Sequence, residues 1–326
     1  MPQHPMNRPA SSAKPFASSA DLAEKTETLE VLADGVYALT AEGDPNVGAI
    51  EGEDFLVAFE ARATPVAARE WLAKLRAHTD KPVRYLVLSH YHAVRVLGAS
   101  AFDARHVVAH AGTRDWVHER GEQDWESEYR RFPRLFRDAG SIPGLTYPDV
   151  SFADTLVLDL GKREVRLRWL GGGHTQGDCV VWVPEERVLF AGDLVEARAA
   201  PYMGDALVDD WQGGTLDLVE SLGARVLVPG RGPALRDEEV ARGIIETREY
   251  LRTIWTTVRA GHARGASLRN AAEEARVALE PRFGDWWIFE HCLPFNVARC
   301  YDEASGLEPQ VWTAEKDQEV WTALQS

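Results

Sequence analysis

The sequence predicts a mixed α/β (α+β) protein, a four-layer αββα sandwich with a helical C-terminal extension. Two observations predict it. Two β-rich blocks, residues 27–60 and 155–192, are each followed by helical pattern, which suits two sheets face to face with helices on both outer faces. From about residue 236 the composition turns helical, over 239–262, 267–280 and 285–306, with a break expected at Pro294. The chain divides accordingly into a disordered tail at 1–25, the αββα domain at 26–234 and the helical extension at 235–326.

Each element has its own signal. Residues 1–20 are rich in Pro, Ser and Ala and lack a hydrophobic stretch of the secretory kind, so they read as tail. Strands follow in 27–41 and 47–60, broken by the turn pairs Asp34-Gly35 and Glu51-Gly52. Residues 64–78 place apolar side chains at helical spacing, with Thr64 as N-cap and Pro65 at the first helical position. PVRYLVL, 82–88, is a buried strand by composition, and 106–110 is another. Residues 111–137 are helical by pattern. Their segment 124–136, mixing Trp, Tyr and Phe with charge, either overhangs a site as an aromatic wall or packs as an ordinary amphipathic helix. The second block supplies strands at 155–160, 164–170, 179–184 and 187–192, then a helix near 213–223 and a strand at 225–230.

Bulk properties exclude some functions. Net charge is −15, from 51 acidic and 36 basic residues, so a phosphate backbone is repelled and nucleic acid is not an expected partner. No apolar run approaches the roughly 18 residues that span a bilayer, so no membrane partner is expected. Cys179, Cys292 and Cys300 are scattered and odd in number, which fits neither a disulfide framework nor a cysteine zinc knuckle and makes a cytoplasmic location the default.

Four loops at strand ends carry the chemistry. After 82–88 come His90 and His92, one residue apart, so two imidazoles can share a cation. His174 follows three glycines, Asp193 follows the strand 187–192, and Arg231 sits in VPGRGP, 228–233. Strand ends of one sheet converge on one edge, where sites in layered folds lie.

The order HYHAVR (90–95), HTQG (174–177), GD (192–193) and PGRGP (229–233) resembles the metallo-β-lactamase superfamily. Its motifs are His-x-His-x-Asp-His, His-Thr-x-Gly, Gly-Asp and Pro-Gly-His-Gly-Pro, and the likeness runs from about residue 27 to 234. The resemblance implies the αββα fold and a first metal site on His90, His92 and His174, with Asp193 as the carboxylate shared by both sites. The positions it implies for the second site hold Val94, Arg95 and Arg231. Valine offers no lone pair and arginine stays protonated, so a second metal is not expected. One Zn²⁺ is, with Fe²⁺ or Mn²⁺ accommodated in a more open geometry.

Two functions follow as expectations. In the first, the protein is a mononuclear metal-dependent hydrolase for an ester, thioester or lactone-type bond of a small anionic molecule. Asp193, Arg95 and Arg231 serve catalysis, and Arg95, Arg231 and Tyr91 bind substrate. In the second, no metal binds; an Arg95–Asp193–Arg231 cluster replaces the metal centre in a non-catalytic, ligand-binding pseudo-enzyme. Tyr91 and His291 either reach the site or pack as ordinary side chains. Trp286-Trp287 marks a packing surface and a homodimer partner.

Overall fold

The structure is a computed structural model and describes residues 14–325. The first sheet has seven strands in chain order: β1 (Glu27–Ala33), β2 (Val36–Ala41), β3 (Val47–Glu51), β4 (Leu56–Phe59), β5 (Val83–Val87), β6 (His106–His110) and β7 (Val150–Phe152). β1 to β4 are antiparallel; β4 to β7 are parallel, with α1 (Pro65–Leu75) crossing between β4 and β5. α1 starts where the sequence expects, with the Thr64 hydroxyl accepting from Ala67 N at 3.2 Å. The second sheet has β8 (Thr155–Asp159), β9 (Glu164–Trp169), β10 (Cys179–Val183), β11 (Val188–Gly192), β12 (Val226–Pro229) and β13 (Leu235–Arg236), in spatial order reversed from the chain.

Period-two alternation builds the layers. In β2, Val36 and Ala38 enter the core between the sheets, while Tyr37 and Leu39 face the α1 layer. In β10, Val181 and Val183 face the first sheet, and Val180 and Trp182 face the C-terminal helices. Both faces of β2 and β10 are therefore covered, which is why these strands read as near-continuous apolar runs. The sheets meet closely at Gly48, where an added Cβ would lie 2.2 Å from the Phe190 ring.

The helices α6 (Glu238–Ala263), α7 (Leu268–Phe283) and α8 (Phe289–Ala304) share one continuous core with the second sheet. What composition marks as an extension is thus the outer layer of the sandwich, flanked by α9 (Ala314–Gln325). Two expectations need correction. α8 does not break at Pro294. The ring removes one N–H in the second turn, and burial of Phe289, Leu293, Phe295 and Val297 outweighs that loss. The tail expected at 1–25 is packed from residue 14 onward: Ser18 N donates to Arg131 O at 3.2 Å, and Phe16 meets Trp321 edge-on at 5.6 Å. Residues 1–13 lie outside the described residues. Among the described residues no helix is long and apolar enough to cross a membrane. Trp286, expected at a packing surface, packs within its own chain against Tyr250 and Phe283.

Candidate metal centre

The four loops meet at one edge of the sandwich. His90 and His92 leave the end of β5 and run into α2 (Ala93–Val96), a single turn whose first amides need acceptors. α3 (Ala111–Arg131) supplies them: Asp124 accepts from Ala93 N at 2.6 Å and Glu128 from Val94 N at 2.7 Å. Two carboxylates one helical turn apart thus fasten the histidine loop. The loop after β12 is held by Asn46, whose side-chain amide donates to Pro229 O and Gly232 O at 2.9 and 2.8 Å. Gly230 is required there, since an added Cβ would lie 2.4 Å from Asp193 Oδ1.

His90, His92 and His174 are buried, and one nitrogen from each lies within 4.8 Å of the others. Each ring is oriented by a partner on its other nitrogen. Ser89 Oγ lies 2.8 Å from His90 Nδ1, Asp205 Oδ2 lies 3.1 Å from His92 Nε2, and Asp178 Oδ1 lies 3.2 Å from His174 Nδ1. The Nε2 atoms of His90 and His174 are buried without a partner. Asp193 Oδ2 is 3.9 Å from the first and 3.8 Å from the second. Inward nitrogens left bare, with each outward nitrogen held by an oxygen, is the donor arrangement of a metal site, and the residues fit one cation. Burial holds His90 well below the ordinary imidazole range, so it is neutral and ready to ligate. Burial opposes protonation of His174 too, but its bond to Asp178 and the negative charges of Asp178 and Asp193 together outweigh this and raise its pKa.

Arg95 and Arg231 converge on Asp193. Arg95 Nη2 donates to Asp193 Oδ1, and Arg231 Nη1 donates to Oδ2 at 2.8 Å. Burial alone would raise the Asp193 pKa, but the two guanidiniums hold it well below the usual carboxylate range. Arg95 also donates to Asn46 O at 3.0 Å and Gly230 O at 2.9 Å. Both its terminal nitrogens are therefore taken by protein acceptors, which corrects the expectation that it binds substrate. Tyr91 is corrected likewise: its buried hydroxyl donates to Asp205 Oδ2 at 2.8 Å and supports His92 from behind. Arg231 reaches Glu196 as well, at 2.9 Å. Burial pushes Glu196 up to about 8 despite Arg231, and Glu60, behind Arg95, up to about 7.

Beside the histidines is a narrow cavity with about 10 Å³ of space, room for roughly one water. His92, Asp193 and Arg231 line it from the motif loops; Glu128, Arg131 and Phe132 come from the 124–136 segment, and His291 from α8. That segment is both wall and packed helix, and His291 does reach the site. Asp205, Glu128, Arg131, Tyr202 and Glu196 are the residues that sequence reasoning missed. Glu196 lies three residues past Asp193 and Asp178 four past His174, a local signal; Asp205 and Arg131 carry none.

The family model for the metallo-beta-lactamase superfamily matches residues 41–254. Metallo-beta-lactamase type 2 of Bacteroides fragilis is 37% identical over 100 residues, 29% of this chain and 40% of that protein. The Bacillus cereus enzyme of the same name is 24% identical over 168 residues, 50% of this chain and 57% of that protein. The chain thus spans about half the length of these curated relatives. Among solved structures, a metallo-beta-lactamase from Pontibacter korlensis superposes with TM-score 0.55 at 19% identity, covering 69% of this chain and 99% of that one. The stereoselective inverting sec-alkylsulfatase Pisa1 from Pseudomonas sp. superposes with TM-score 0.67 at 17% identity, covering 85% of this chain and 50% of that one. Identities this low speak to the fold.

Proposed function

We infer the function from a premise and a geometry: the chain belongs to the metallo-beta-lactamase superfamily, and His90, His92 and His174 present three convergent imidazoles. The reading is a hydrolase-like protein with one metal, Zn²⁺ in the first instance, acting on an ester, thioester or lactone-type bond of a small anionic substrate. The observation that carries it is the pair of buried, unpartnered Nε2 atoms on His90 and His174. Nothing else among the described residues satisfies them, and a buried imidazole without partners is unfavourable.

When bound, the metal supplies Lewis acidity and an acidified water. The chain's own groups do the rest. Asp193 would add a fourth donor, an oxygen beside three imidazole nitrogens, and Arg95 acts through it as a positioning residue. Arg231 shares Asp193 with Arg95 and places positive charge at the cavity wall, where negative charge on a substrate or transition state is favoured. A carboxylate held so far below its usual range is a weak base, so the proton acceptor we assign is Glu128, which lines the same cavity.

One observation favours the second reading, the ligand-binding pseudo-enzyme: both Asp193 oxygens already accept from arginine, a self-satisfied ion cluster. Zinc titration of chelator-treated protein separates the two. The hydrolase reading expects uptake of about one equivalent, and about 10–100-fold weaker uptake in Asp205→Asn, which unseats the His92 ring. No uptake by the wild type leaves the pseudo-enzyme reading alone.

A further inference from the structure

We propose that the cavity beside the three histidines is a subsite for a singly charged oxyanion, a carboxylate or a sulfate monoester, recognised by Arg131 and Tyr202. The inference rests on the hydrolase reading and names the acidic group of its substrate. It starts from a side chain that the metal centre does not use. Arg131, in the last turn of α3, is 2% exposed and among the largest fully buried side chains. Its guanidinium makes no hydrogen bond among the described residues. The nearest carboxylate is Asp317 Oδ2, 3.4 Å from Nε, an ion pair whose geometry leaves Nε without a hydrogen bond. The planar group lies over the rings of Tyr202 and Phe295, 4.7 and 5.2 Å from their centroids.

Two more donors in the same wall are idle. The Tyr202 hydroxyl and Arg231 Nε are buried without partners. Arg131, Arg231 and Tyr202 all line the cavity that His92 and Asp193 close on the other side. Buried donors without partners at Arg131 Nε, Arg231 Nε and the Tyr202 hydroxyl are an unfavourable arrangement unless an acceptor-rich group completes it. A planar or tetrahedral oxyanion is such a group, and guanidinium binds it through two parallel bonds. An apolar ligand or a cation would leave every one of these donors unpaired.

The surrounding charges set the anion's valence. Arg131 and Arg231 face the cavity, as do Asp193 and Glu128; Asp124 and Asp317 stand close to Arg131. These carboxylates already have partners: two arginines on Asp193, Val94 N on Glu128, Ala93 N on Asp124 and Ser127 Oγ on Asp317. They keep Arg131 charged without using up its hydrogen bonds. Two arginines against four carboxylates leave these protein groups at −2, which one divalent cation on the histidines offsets, so a monoanion adds less uncompensated negative charge than a phosphate dianion does. The cavity is smaller than a carboxylate, so the anion has to displace lining side chains such as Phe132 and His291, whose rings stack 4.1 Å apart.

The test is calorimetric titration of the full-length, zinc-loaded protein with sodium acetate, sodium methyl sulfate and sodium phosphate at constant ionic strength, with zinc stoichiometry measured in every sample. Acetate or methyl sulfate is expected to bind, whichever does identifying the head group, and phosphate is expected to bind more weakly. In Arg131→Gln the binding weakens about tenfold or more, and in Tyr202→Phe about 3–10-fold, with zinc content unchanged in both. A purely structural Arg131, bracing α3 against α9, would leave the titration of Tyr202→Phe unaltered. Lack of binding by either monoanion, or binding by both variants as in the wild type, overturns the proposal. Should Arg131→Gln not fold, Tyr202→Phe decides alone. Zinc bound without anion binding removes this inference and leaves the hydrolase reading. Should zinc not bind, the same titration on metal-free protein decides the subsite by its dependence on Arg131 and Tyr202.

Discussion

Replacing Asp193 by alanine destabilises the metal-free protein by about 3–5 kcal/mol. The size of the effect follows from what the carboxylate joins. Arg95 and Arg231 both sit inside the protein, and each donates to a different oxygen of Asp193. Removing it leaves two buried cations facing each other across the space it filled. Arg231 keeps Glu196, at 2.9 Å, but Arg95 keeps only the carbonyls of Asn46 and Gly230. Urea denaturation at neutral pH in the presence of a chelator measures the loss. A loss below about 1 kcal/mol, the size of an exposed ion pair, would mean that the cluster is not the buried hub described above.

Between about pH 7 and 8.5 the metal-free protein loses stability steadily. The sign follows from the shifts. Glu196 and Glu60 are raised, to about 8 and about 7, against an unfolded value near 4.3. The folded state therefore holds more protons than the unfolded one, and stability falls with rising pH. Their contribution is complete below the unfolded value and is lost as pH passes through 7 and 8. Asp193 is depressed, so its contribution acts in the opposite sense and is lost only on acidification. Burial also lowers His90 and His291, which brings a loss below about pH 6.5 as the unfolded imidazoles take up protons. A urea midpoint that falls from pH 7 to 8.5, less steeply in Glu196→Gln, is the expected result; a flat or rising one contradicts these assignments.

How much of this could be read from the chain depended on whether the partners are local. His90 and His92 are two residues apart after a strand, and His174, Asp193 and Arg231 each end a strand of the second sheet or a loop beside it, so the motifs carry their own geometry. The sandwich was legible for the same reason, since β2 and β10 alternate between two buried faces. Arg95 was harder. Its position marks a lost ligand, but only the packing of β2, β5 and β11 shows that its guanidinium turns to Asp193 and two carbonyls. Asp205, Glu128 and Arg131 belong to segments without a motif, and tertiary packing alone brings them to the site. Phe16 and Ser18 looked like tail because a Pro- and Ser-rich composition cannot show that Trp321 and Arg131 wait to receive them.

The central claim is that one metal ion binds His90, His92 and His174 where a second site has given way to arginine. Anomalous diffraction at the zinc edge, on crystals of zinc-loaded protein, tests it most directly. A single peak is expected about 2.0–2.1 Å from one nitrogen of each histidine. No peak at those nitrogens, or a second peak about 3.5–4 Å from the first, would contradict it.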